Sequence, residues 1–181
     1  VLHSADYILP KVLPFVRIEQ WNFTTQQNAG FRDYRLTVTP TSMIPKFVFR
    51  GFEKACHFEY KFDSKAELDL SFVLENDVKV LKWLRPAPNQ FRIYWDNNSK
   101  RYQPDFIFET ENGIYMVEVK RQDQTEEVNV ISKKIAAERY CNHASDYTSK
   151  NGGKPWNYLL IPHNEIDKNS SISYLITRFK S

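Results

Sequence analysis

Asp105, Glu118 and Lys120 are the residues of this 181-residue chain whose types and spacing point to chemistry. Glu118 and Lys120 stand two apart in Ile114-Tyr-Met-Val-Glu-Val-Lys120, a run otherwise apolar. In a strand that spacing sends both side chains to one face. An acid and a cation on such a face are costly to bury unless they pair or hold a metal. Asp105 follows Pro104 near the start of another apolar run, and Glu111-Asn112-Gly113 between the two runs is a tight hairpin signature. Closing that hairpin brings Asp105 beside Glu118. Two carboxylates held together repel, and a divalent cation relieves the repulsion. Hard oxygen ligands favour Mg²⁺. Lys120, next to the cation and a scissile phosphate, is placed to orient or deprotonate an attacking water.

The elements that must position these residues are legible as hydrophobic periodicity. Alternation predicts strands over 91–95, 102–109, 114–120 and 156–161. Ser64 followed by Glu67 is a capping box and opens a helix predicted over 64–84, ended by Pro86 and Pro88. Val128, Ile131, Ile135 and Ala136 predict a second helix over 126–142. Residues 171–179 form a last short helix or strand. The order from residue 64 is αβββαβ, and the helix between the third and fourth strands lets them run parallel. Residues 1–63 alternate in short runs broken by proline. Arg35–Pro40, Lys46–Arg50 and Cys56–Phe62 read as half-buried strands of a β-rich lead-in packed on a core of 64–181. The fold class is α/β, with a central mixed sheet flanked by helices.

Pro104-Asp105 followed by Glu118-Val119-Lys120 resembles the signature of the PD-(D/E)xK nuclease superfamily. More specifically, the chain resembles the C-terminal endonuclease domain of type III restriction enzyme Res subunits. The stretches that carry this are Asn28–Asp33, Gly51-Phe52, Tyr60–Ser64, Lys82–Pro86, Tyr102–Phe106, Met116–Lys120 and Ala136-Ala137. The resemblance implies a restriction-endonuclease-like core and Mg²⁺-dependent cleavage of double-stranded DNA, with Mn²⁺ a possible substitute. Asp105, Glu118 and the Val119 carbonyl would hold the metal, and Lys120 would act on the water. Superfamily members often draw a further acid from the first helix, here Glu67, which its capping role explains equally well. Lys133 on the second helix is a candidate contact near the site. A helicase motor in the same full-length chain, a methylation and specificity subunit and a prokaryotic cytoplasm are implied too. Related alternatives are a repair or anti-phage nuclease of the same fold, or a DNA-binding module without activity.

Composition narrows the classes. Twenty-five Lys and Arg against twenty-two Asp and Glu give a formal charge of +3, too little to coat nucleic acid. Any DNA contact must be local. Residues 79–101 supply one such patch, with Lys79, Lys82, Arg85, Arg92, Lys100 and Arg101 against Asp96. Arg85, Arg92, Lys100 and Arg101 are its leading phosphate contacts. Trp83, Tyr94 and Trp95 among them read as core. His3, His57, His143 and His163 show no ligand spacing, and Cys56 and Cys141 read as buried thiols. No run is long and apolar enough to span a membrane. Lys11, Arg17, Pro10 and Pro14 exclude a signal peptide from the first twenty residues. A first residue of Val reads as a piece of a longer polypeptide.

Overall fold

The structure is a computed structural model and describes residues 30–95, 100–124 and 128–181. The predicted signal-free start, the Asp96–Ser99 turn and the first residues of the second predicted helix lie outside these. Eleven regular elements are named here: β1 (Gly30–Asp33), β2 (Phe47–Arg50), α1 (Lys65–Asn76), β3 (Val80–Leu84), β4 (Ile93–Trp95), β5 (Lys100–Tyr102), β6 (Phe106–Thr110), β7 (Gly113–Lys120), α2 (Val128–Lys150), β8 (Trp156–Pro162) and α3 (Ile172–Phe179).

The central sheet has the order β3-β6-β7-β8. β3 and β6, and β6 and β7, are antiparallel, and β7 and β8 are parallel, so the sheet is mixed as expected. The αβββαβ order holds, but with a different first strand. Residues 80–84 belong to the sheet, and 91–95 do not: β4 and β5 pair only with each other, as a small hairpin between β3 and β6. The predicted helix over 64–84 stops at Asn76. Asp77 ends it, because its carboxylate accepts from the Lys79 N–H and its carbonyl from the Val80 N–H. Leu74 and Val78 are spaced as a helical stripe, yet Leu74 is buried and Val78 is 88% exposed in the turn.

The predicted strand 102–109 is split as well. Pro104 has no N–H for a ladder, and pairing in the central sheet begins at Phe106. Of the lead-in, Lys46–Arg50 is largely β2, paired in parallel with β1. Arg35–Pro40 is not a strand, since the Asp33 carboxylate accepts from the Arg35 N–H and turns the chain. Cys56–Phe62 forms isolated bridges rather than a strand, with Tyr60 paired to Phe49.

Two cores lie on the two faces of the sheet. Tyr115, Val117 and Val119 of β7 share one with Leu68, Leu70 and Leu74 of α1, Leu175 of α3 and the aromatic residues Phe49, Phe52, Tyr60 and Phe62. The described lead-in therefore fills the main core. Ile114 and Met116 of β7 face the other, with Ala137, Tyr140, Cys141 and Ala144 of α2. Cys56 and Cys141 are buried free thiols. No helix among the described residues is long and apolar enough to cross a membrane.

Candidate active site

The strand period continues the α2-facing row of β7 from Ile114 and Met116 to Glu118 and Lys120. These two reach the end of the sheet, where α2 no longer covers the row with apolar side chains. The β6–β7 hairpin sets the partner. Thr110 pairs with Gly113 across Glu111-Asn112, and Phe106 pairs with Val117. Continuing that register by one residue puts Asp105 opposite Glu118. Gly113 is required at this turn by crowding, since a Cβ there would lie 3.1 Å from the Pro155 carbonyl oxygen and from Asn157 Nδ2.

Asp105 is fixed by the strand it faces. Its N–H donates to the Val117 carbonyl at 3.0 Å, and its Oδ2 accepts from the Val119 N–H at 2.8 Å. Glu118 is 3% exposed, and its Oε1 accepts from Lys120 Nζ at 2.7 Å. The second oxygen, Oε2, is buried without an aligned hydrogen-bond partner. Burial first, and the Asp105 charge second, push the Glu118 carboxyl up to about 7. Burial also raises Asp105, against the Val119 N–H and the Lys120 and Arg85 charges. Burial pulls the Lys120 ammonium down, but Glu118, Asp105 and Glu67 more than offset it, so it is held protonated.

Glu67 stands at the same end of the sheet, on α1. Ser64 Oγ accepts from the Glu67 N–H at 3.2 Å, and Glu67 Oε2 accepts from the Asp63 N–H at 2.8 Å, one residue earlier than an ideal capping box. The same Oε2 lies 3.0 Å from Arg85 Nη1. Arg85 also bonds Asp63 at 2.9 Å, and its guanidinium lies over the Phe62 and Phe106 rings. Burial raises the Glu67 carboxyl, Arg85 lowers it and Asp105 raises it. Glu67 is thus a cap and an Arg85 partner within electrostatic reach of Asp105.

A cleft of about 360 Å³ opens beside Asp105, lined among others by Lys61, Arg85, Pro86, Gln103 and Pro104. The predicted basic patch is not one surface. Arg85 faces this cleft while bound to two acids. Arg92, Lys100 and Arg101 are exposed on and beside the β4–β5 hairpin. Lys79 bonds Ser173 Oγ at 2.7 Å, next to α3. Lys133 is half-buried on α2.

The donor set fits a hard divalent cation. A buried carboxylate, a half-buried one opposite it and the Val119 carbonyl can serve a cation that keeps several waters. No group of three His, Cys, Asp or Glu side chains that could hold a metal converges among the described residues. Sequence reasoning missed the Arg85 clasp and two phenols behind Glu118, those of Tyr102 and Tyr158. Their placement depends on the β5 and β8 positions, which carry no periodic signal of chemistry. No protein-family model matches the chain, and no curated protein matches it.

Proposed function

We propose that this chain is a divalent-metal-dependent deoxyribonuclease domain of the PD-(D/E)xK kind. The observation that carries the reading is Asp105 set opposite Glu118 at a sheet end, with the Lys120 ammonium on Glu118 and a partly cationic cleft beside them. Asp105, Glu118 and the Val119 carbonyl would hold Mg²⁺ or Mn²⁺. Such a cation lowers the pKa of a bound water and polarises a phosphoryl oxygen. The chain's own residues do the rest. The Val119 N–H fixes the Asp105 carboxylate, leaving its other oxygen free to bind. Lys120 holds a proton on Nζ and donates hydrogen bonds, either to the attacking water or to charge growing on the phosphate. Lys61 and Arg85 line the cleft beside Asp63 and Asp105 and are its candidate contacts for an anionic backbone.

The motif stretches favour the nuclease domain of a type III restriction enzyme within that class. On that reading the substrate is double-stranded DNA, a helicase motor belongs to the same full-length chain, and a methylation subunit supplies sequence choice. The test is cleavage of supercoiled plasmid by the purified chain with Mg²⁺, with Mn²⁺ and with chelator. Metal-dependent nicking that Asp105→Asn and Glu118→Gln abolish is the expected result. Cleavage unchanged in both variants overturns the assignment. Adding the motor and methylation subunits separates a weak isolated domain from an inactive one.

A further inference from the structure

We propose that Tyr102 and Tyr158 are positioning residues for Glu118, joined as a relay of two phenols behind its carboxylate. What Glu118 then does rests on the nuclease reading. The relay itself rests on three oxygens. Glu118 Oε2, the Tyr102 hydroxyl and the Tyr158 hydroxyl are each closed to solvent, and none has an aligned hydrogen-bond partner. Their residues are all but fully buried, at 3%, 3% and 2% exposure. They come from three strands, β5, β7 and β8, and meet on the α2 side of the sheet. Tyr102 lies next to both Glu118 and Tyr158, close enough for each to feel its hydroxyl.

Donor and acceptor chemistry orders the three groups. An ionised carboxylate only accepts, whereas a phenol donates one hydrogen and also accepts. Tyr158 donating to Tyr102, and Tyr102 donating to Glu118 Oε2, uses both hydrogens and the inner oxygen. The alignment requires rotation of the two hydroxyls and their rings. A pair of tyrosines serving the fold alone would aim its hydroxyls at backbone carbonyls or at solvent. Here the acidic neighbours of both are Glu118 first and Asp105 after it, the two carboxylates of the site. Holding Oε2 from behind fixes the carboxylate plane and keeps Oε1 toward Lys120. Partners of this kind behind a metal ligand are worth about 10–100-fold in metal affinity.

The experiment uses Tyr102→Phe, Tyr158→Phe and the double variant, each of which removes one oxygen per site and no carbon. In metal-free protein, the ¹³C resonance of the Glu118 side-chain carboxyl should move in Tyr102→Phe. By calorimetry with Mn²⁺ alone, that variant should bind about tenfold more weakly. Tyr158→Phe should shift both readouts in the same direction by less. The double variant should match Tyr102→Phe, because the second phenol acts through the first. A merely structural pair would give additive losses. Additive losses, or a Glu118 resonance unmoved in Tyr102→Phe, overturn the relay. Wild-type protein that binds no Mn²⁺ overturns the nuclease reading instead, and the resonance alone then decides the relay.

Discussion

Lys120 and Glu118 form an ion pair whose two ends have different work, so removing either is not equivalent. A protonated amine has no lone pair for a metal, and Lys120 is held protonated by the acids around it. Lys120→Ala should therefore lower cleavage by at least about 10²-fold, the usual scale for a donor at developing charge. Its Mn²⁺ affinity by calorimetry should persist or rise. Wild-type cleavage by that variant would remove the lysine from the chemistry. His57 gives the domain a pH dependence of its own. It is 2% exposed, its Nε2 lies 3.1 Å from Gln90 Oε1, and burial lowers its pKa from the ordinary 6.5. The unfolded chain then takes up the proton first as pH falls. The stability His57 contributes is present above about pH 6.5 and is lost as pH drops through its lower folded value. Urea midpoints at pH 7.5 and pH 5.5 should differ less in His57→Gln than in the wild type. The chemical residues were legible because their types are improbable on an apolar strand. Arg85 was misjudged as a free rim cation because sequence carries no sign that Glu67 and Asp63 converge on it.

At the scale of elements, the hairpin, β7 and β8 were readable because each has a single period and a clear stop, whereas the second helix, expected to end at residue 142, runs on to Lys150. β3 was not readable. Val80–Leu84 follows α1 after three residues, and its apolar positions continue a helical stripe by coincidence of spacing. What separates them is the Asp77 turn, a side-chain effect that periodicity cannot report. The two elements are then locked by one buried carboxylate. Glu75, in the last turn of α1, accepts from the Glu53 and Lys54 N–H groups and from Trp83 Nε1 on β3, the last at 2.7 Å. Glu75→Ala leaves one buried donor, Trp83 Nε1, and two part-buried backbone N–H groups without their partner. Each such group costs about 1–3 kcal/mol. The variant should lose at least about 1 kcal/mol in urea unfolding, and Glu75→Gln, which keeps an acceptor, clearly less. A loss under 1 kcal/mol in Glu75→Ala would mean that water replaces the carboxylate.

Across the whole molecule, Glu118 sits on the best-supported strand with Asp105 bonded to it, and the cleft beside them is walled by a loop. β7 pairs with β6 over Gly113–Val117 and with β8 over Ile114–Lys120, with a packed core on each face. The opposite wall of the cleft is the Pro86–Gln90 segment, tied by a turn from the Gln90 N–H to the Ala87 carbonyl and by the Gln90 and Gln103 side chains. Amide hydrogen exchange should resolve this difference. The inner amides of β7 should exchange only through global unfolding, and those of residues 89–92 by local opening at far lower free energy. Equal protection of both walls would contradict it. Such a molecule works like a vice with one fixed jaw. On the nuclease reading, Asp105 and Glu118 are held in register by the sheet, and the entrance beside them is lined by the short, proline-containing loop segment Pro86–Pro88. Adapting the entrance to a thicker or thinner polymer would then require changes in that loop alone, leaving the chemistry of the fixed jaw untouched.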